Sequence, residues 1–347
     1  MTTDRALSVP VSIIAVILMT AAAYYASSVF APLVVALYIM ALVWPLQRML
    51  QARLPKLLAL ALTLLATLAI GFLFVLIFSW AVGRVIRPIM LDTARYQYLL
   101  EHLADRFEIQ GFSIAGLWSE YVDLAWTISA IRQVGGHLQT TLTFWIIAIT
   151  YLLLGLLEVD DMRAKIAVMR NREASWMLLE GTRIIAGHYR RHLLVRTLMS
   201  VLTGLLVWLF ACVVGLPFAG EWGVIAFALN YIPFIGPFFA TLLPTLLAMT
   251  TFDTWQAVIL VFLCLNVIQF MVGSYIEPRV AGSVLSISPM LVLFVIFFWT
   301  FLWGILGTLL AVPITVAIIT FCGLHPRSRW VVELFGKAAA ANTAEAE

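Results

Sequence analysis

The sequence predicts an all-α, polytopic membrane protein with about eight hydrophobic segments, two of them broken or re-entrant hairpins in an inverted repeat. Three observations predict it. Hydrophobic residues make up 63% of the 347-residue chain and charged residues only 11%, against about 25% charged in a soluble domain. Stretches free of Asp, Glu, Lys and Arg recur along the chain, and each can hold the roughly 20 apolar residues that cross a bilayer core. Two of these stretches carry several prolines and glycines, which hydrocarbon tolerates only where protein or a wet cavity shelters the freed backbone.

The first stretch, from Arg5 to Arg48, holds two helices near 9–30 and 32–47, divided at Ser27-Ser28 and Pro32. Arg5 before an apolar run and Ala21-Ala22-Ala23 after it imitate a secretory leader. The apolar run continues past the alanines, so it reads as a retained membrane helix. A third helix between Lys56 and Arg84 completes an N-terminal three-helix membrane region, 1–83. Residues 84–137 follow as an extracytoplasmic amphipathic segment. In it Leu99, Leu100, Leu103 and Phe107 recur at three- and four-residue steps, and Trp118, Tyr121 and Trp126 suit the headgroup layer. Gly135-Gly136-His137 reads as a turn before a membrane helix at 138–157.

Residues 158–196 form a basic cytoplasmic amphipathic segment with eight Lys/Arg against five Asp/Glu. Trp176, Leu179, Ile184 and Ile185 lie among its arginines, so it is expected along the membrane surface near anionic lipid. His188 and His192 read there as part of a basic anchor. Residues 197–325 form a transport core, and 326–347 a cytoplasmic tail. Arg48, Arg53 and Lys56, the 158–196 segment, and Arg327, Arg329 and Lys337 fall on one side when both termini are cytoplasmic, as the positive-inside rule requires.

The two broken segments lie in the core. The 222–250 stretch contains Pro233, Gly236, Pro237 and Pro244; the 285–322 stretch contains Pro289, Gly304, Gly307 and Pro313. As one rod the second would run roughly 57 Å, nearly twice the hydrocarbon thickness of about 30 Å. Each follows an ordinary span, 197–215 and 255–276. Interrupted segments at corresponding places in two halves point to a transporter's solute site. Re-entrant hairpins put Glu277 inside; full crossings put it outside. Hairpins are the favoured reading.

The candidate site residues are Asn230, Tyr231, Pro233, Gly236 and Pro237 at the first break, Asn266, Gln269, Glu277, Pro278 and Arg279 at the end of the intervening span, and Gly304 and Gly307 at the second break. Asn266 and Gln269 share a helix face with Gly273, and their amides offer donors and acceptors to an uncharged polar solute. Helix–helix hydrogen bonding is the competing reading. Glu277 is the only acid between Asp253 and Glu333. An acid beside a membrane segment is a candidate for proton or cation coupling; a boundary ion pair with Arg279 is the alternative. The 230–237 backbone exposes carbonyls or amides, or serves as a hairpin tip.

The residues also exclude functions. No Gly-x-x-x-x-Gly-Lys-Ser/Thr loop occurs, which removes that kind of ATP site. The absence of His-Glu-x-x-His and Gly-x-Ser-x-Gly weakens protease and hydrolase readings. Cys212, Cys264 and Cys322 stand singly without metal-ligand spacing. No cofactor or metal is expected, and no nucleic-acid partner.

The C-terminal third resembles the autoinducer-2 exporter family of bacterial permeases. The matching residues are Asn230-Tyr231-Ile232-Pro233-Phe234-Ile235-Gly236-Pro237, Asn266, Ile276-Glu277-Pro278-Arg279 with Gly282, Ser288-Pro289, Gly304-Ile305-Leu306-Gly307 and Ala311-Val312-Pro313. The resemblance implies eight membrane segments, a homo-oligomer in the bacterial inner membrane, and the 230–237 and Glu277-Pro278 stretches as the transport core. Some members are associated with export of autoinducer-2, a quorum-sensing signal; others with sodium/proton antiport. The reading is therefore a secondary transporter of a small polar solute, with Na+ or H+ as a coupling ion, and not an enzyme. A sodium/proton antiporter is the first alternative and a non-transporting membrane scaffold the second.

Overall fold

The computed structural model describes residues 3–91, 124–252, 254–281, 289–326 and 328–335. Among them every regular element is a helix. In order they are α1 (Thr3–Tyr25), α2 (Ser27–Gln51), α3 (Lys56–Leu91), α4 (Leu124–Ala167), α5 (Arg172–Val214), α6 (Ala219–Leu229), α7 (Ile235–Thr251) and α8 (Trp255–Phe270). A π-wound stretch (Met271–Ile276) then leads into α9 (Glu277–Ala281), followed by α10 (Pro289–Leu324) and α11 (Arg329–Phe335). Six of the described helices are long and apolar enough to cross a membrane. Counting α1, and treating α6 with α7 as one broken segment, the described chain has the expected eight.

Several expectations need correction. The 158–196 segment is not a separate element: its first residues end α4, a short turn follows, and the rest is the first half of the 43-residue helix α5. Gly135 and Gly136, expected at a turn, lie inside α4. The amphipathic repeat over 96–107, the aromatic residues Trp118 and Tyr121, the positions Gly282 and Ser288, and most of the C-terminal tail lie outside the described residues.

The chain forms two compact units. One comprises Met1–Leu65, Thr143–His192 and Ser283–Glu347; the other comprises Ala66–Leu142 and Leu193–Gly282.

In the first unit, α2, α3 and α4 share a core in which Ala36, Leu60, Leu152 and Leu156 are buried under Met40, Trp44 and Leu64. Gly155 lets α4 approach Met40 of α2. A neighbouring cluster joins Val35 of α2 to Leu310 and Ile314 of α10. The α10 helix breaks at Trp303 and Gly304. Gly304 has φ 62° and ψ −141°, a region that side chains bar to other residues. The chain reverses there. Thr300 Oγ1 lies 2.7 Å from Thr308 Oγ1, whereas eight residues of straight helix would separate them by about 12 Å. Gly307 permits the reversal by close approach, since a Cβ on it would overlap the carbonyl oxygen of Trp299. The tip is tied down by Trp303, whose Nε1–H donates to the Ala23 carbonyl at 3.0 Å.

In the second unit the core gathers Ala81 and Val85 of α3, Val207 and Ala211 of α5, Trp222, Ile225 and Ala226 of α6, Ala240, Leu247 and Ala248 of α7, and Val261 and Leu265 of α8. The α5 helix ends in a Schellman cap. Gly215 is left-handed at φ 76°, its N–H bonds Cys212 O, and Leu216 N–H bonds Ala211 O, as that motif requires. The α5 and α6 helices touch backbone to backbone, because a Cβ on Gly204 would stand 2.8 Å from Gly223 O and one on Gly223 2.8 Å from the Trp208 Cβ. Small residues at such crossings replace the missing hydrophobic drive between helices in lipid. Gly223→Val is therefore expected to lower the melting temperature of the purified protein by several degrees, through overpacking of about 1–3 kcal/mol. An unchanged melting curve would refute the close crossing.

Candidate functional site

The break between α6 and α7, like the one in α10, is a chain reversal. After α6 the chain passes Asn230 to Phe234 and returns as α7, which packs against α6. Pro233 has no N–H, and its carbonyl accepts from Ile235 N–H at 2.7 Å. Pro237 falls in the first turn of α7, where a missing donor costs least. Phe234 holds φ 60° without being glycine, a costly backbone state for a bulky residue. Gly236 does here what Gly307 does in α10: a Cβ would overlap the carbonyl oxygen of Leu229. Thus Pro233, Gly236, Pro237, Gly304 and Gly307 shape the two breaks through backbone.

The polar groups of the first break dock on α5. Asn230 is buried, and its Nδ2 donates to Ser200 Oγ at 3.1 Å. Tyr231 donates its phenolic hydrogen to Thr197 Oγ1 at 2.9 Å, with the rings of Phe74 and Phe227 set edge-on beside it. One turn away, Arg196 Nη1 donates to both carboxylate oxygens of Glu277, at 2.8 and 2.9 Å. The side chains are 14% and 25% exposed, so water screens the pair far less than a surface ion pair. The expected alternative, Glu277 with Arg279, is wrong. Arg279 instead lies over the Tyr275 ring, 3.4 Å from its centroid, and Pro278 beside it is exposed.

The π-wound stretch explains how Glu277 reaches α5. An α-helix continuing past Phe270 would advance its side chains by a fixed angle. The wider π winding re-aims the following turn, as such insertions do at functional sites. Val272 is thereby buried against Val195 and Met199 of α5, with Ile276 beside them, and Glu277 follows toward Arg196.

Two predicted residues on α8 behave differently from each other. Asn266 Nδ2 donates to Phe262 O of its own helix at 2.8 Å, so it is not joined to the α5 face. Gln269 lies just before the π stretch, and its Nε2 is buried with no partner among the described residues. A second ion pair, Arg84 Nε to Glu221 Oε1 at 3.1 Å, fastens the first turn of α6 to α3. Its acid also favours the helix N-terminus.

Sequence reasoning missed Arg196, Thr197 and Ser200. Their signal is present in the polar and small positions Arg196, Ser200, Thr203 and Gly204, which recur at helical spacing in an otherwise apolar stretch of α5. In the charge pattern alone, Arg196 marks only the edge of a charge-free stretch.

This architecture, with two chain reversals and a half-buried ion pair among apolar helices, defines a polytopic membrane permease. The chain belongs to the AI-2E family of transporters, whose family model matches residues 13–326. It is similar to the AI-2 transport protein TqsA of Escherichia coli K12, 27% identical over 297 residues that cover 85% of each chain. It is also similar to a putative transport protein of Borreliella burgdorferi, 26% identical over 90% of this chain and 86% of the relative. Over a shorter stretch of 137 residues, 38% of this chain and 39% of the relative, it is 36% identical to the E. coli putative transport protein YhhT.

Proposed function

We propose that this permease is a secondary transporter that moves a small, hydroxyl-rich polar solute of the autoinducer-2 type across the bacterial inner membrane, with both termini cytoplasmic. One observation carries the reading: a single face of α5 receives the Asn230–Tyr231 chain reversal and the Glu277 carboxylate together. A purely structural hairpin tip needs no ionisable group beside it. Gln269 adds a buried amide donor in the same unit, suited to a hydroxyl or carbonyl oxygen. The relative's name, AI-2 transport protein, supports the solute class.

The mechanism follows from differential contacts. Asn230, Tyr231 and Glu277 are satisfied by α5 in this conformation. A solute enters the site by replacing Ser200 or Thr197 as the partner of Asn230 or Tyr231, which exchanges neutral hydrogen bonds at little net cost. Binding then biases the equilibrium between the closed arrangement and an open one only through such differential contacts.

A sodium/proton antiporter is the second reading, because Glu277 is an acid beside a membrane segment. Both its oxygens accept from Arg196, so a cation would have to displace a guanidinium. That favours the neutral solute. The test is counterflow in liposomes holding the purified chain. Autoinducer-2 is expected to exchange across the bilayer, and a sodium gradient alone to drive no proton movement. Proton movement without solute would establish the antiporter; neither flux would leave a scaffold.

A further inference from the structure

The first unit holds a polar group that neither the ion pair nor the chain reversals use. Gln47, in the last turns of α2, is 0% exposed, and neither its Nε2 nor its Oε1 has a partner among the described residues. Gln51, one turn on, has a buried Nε2 in the same condition. Four residues apart, the two carboxamides share one face of α2. The short turn between α2 and α3 makes their last and first turns antiparallel neighbours. There the fully buried Ala59 and Thr63 of α3 flank Leu60, which packs with Trp44 of α2.

A buried amide without partners loses its water bonds and gains nothing in exchange. Leucine or methionine at position 47 would fill similar space at no such cost, and nearly all buried polar groups of folded proteins are paired. A chain that keeps this amide in its core is less stable than it could be, which is the usual mark of a residue held for function.

We infer that Gln47 and Gln51 form a second solute-binding site at the Arg48 end of α2, specific for a neutral molecule rich in oxygen acceptors. The orphaned atoms decide the class. Two are amide nitrogens, each with two donor hydrogens, and one is a carbonyl oxygen. A cation needs oxygens and is repelled by the amide hydrogens. A solute with adjacent hydroxyl or carbonyl oxygens meets both donors, and a hydroxyl hydrogen serves Gln47 Oε1. The inference rests on the transporter reading for its biological use, since it makes the site a second station for the same kind of solute.

The test uses membrane vesicles holding the full chain with Cys212, Cys264 and Cys322 replaced by alanine. Gln47→Cys is compared with Ala148→Cys, a control of similar burial on α4, in reaction with a water-soluble, membrane-impermeant methanethiosulfonate. A site that admits solute must open to water, so Gln47→Cys is expected to react at least tenfold faster. Equal or negligible rates at both positions overturn the site. In parallel, Gln47→Leu is expected to raise the melting temperature while raising the KM for autoinducer-2 severalfold in liposomes. A Gln47→Leu protein of higher stability and unchanged KM overturns the site, because the amide was then only a packing defect. If wild-type liposomes show no flux, the transport reading fails by itself and the thiol comparison still decides the site.

Discussion

Gly236→Ala and Gly307→Ala are each expected to destabilise the protein by about 3 kcal/mol or more, at the upper end of overpacking costs. Both glycines face a carbonyl oxygen of the preceding helix arm, Leu229 O for Gly236 and Trp299 O for Gly307, and a Cβ on either would overlap that oxygen. A flexible side chain could swing aside at small cost. A carbonyl cannot, because it belongs to the helix whose hydrogen bonds close the turn, and in hydrocarbon a broken backbone bond finds no water to replace it. The arms must therefore spread, which takes Asn230 from Ser200 and Thr300 from Thr308. Gly71 and Gly273, where a Cβ would meet nothing within 4 Å, serve as controls, and alanine there is expected to leave stability within about 0.5 kcal/mol. Thermal melting of the purified variants checks the contrast, and equal effects at all four glycines would refute it.

The second large effect concerns Arg196 and Glu277. Arg196→Gln is expected to be the more destabilising single change, by about 1–2 kcal/mol. It leaves a short carboxylate half-buried and unpaired, whereas an arginine left alone by Glu277→Gln can carry its guanidinium toward the headgroups on its long stem. The double variant Arg196→Gln/Glu277→Gln removes both charges and is expected to recover most of the lost stability, as coupled neighbours do in a double-mutant cycle. Transport should not recover with it. On the proposed mechanism all three variants are expected to lose at least tenfold in autoinducer-2 flux, because the pair opens and re-forms between the closed and open arrangements. Flux near wild type in the double variant would reduce the pair to a structural brace.

The breaks themselves were legible in the sequence. Pro233, Gly236 and Pro237, and Gly304 and Gly307, announced backbone that could not continue as helix, and length alone demanded that 285–322 fold back or break. Composition and charge spacing were enough for the spans because lipid imposes one strong rule on every residue that faces it. The partners of the site were harder to see. Whether Glu277 meets Arg279, two residues on, or Arg196, 81 positions earlier in the chain, depends on the winding of Met271–Ile276, and the π turn leaves no simple mark in Met-Val-Gly-Ser-Tyr-Ile. Likewise 158–196 looked like a surface segment because its charges dominate its average. Its apolar positions are those of a long helix: Ile185 and Val195 are buried, and Gly181 meets Phe321 and Leu324 of α10. Gln47 was hidden for the opposite reason, since one amide beside Arg48 reads as the ordinary polar end of a membrane helix.

The central claim is that the contact between the 230–231 break and α5 lies on the solute's route. Ser200 tests it with the smallest possible change, because Ser200→Cys alters one atom in a fully buried position that accepts from Asn230. In a background with Cys212, Cys264 and Cys322 removed, the measurement is the rate at which a small hydrophilic thiol reagent labels this variant in transporting liposomes. Labelling is expected in the absence of solute, and its rate is expected to fall severalfold when autoinducer-2 saturates the protein and occupies the site. A protein that transports normally while Ser200→Cys stays unlabelled under every condition would place the route elsewhere.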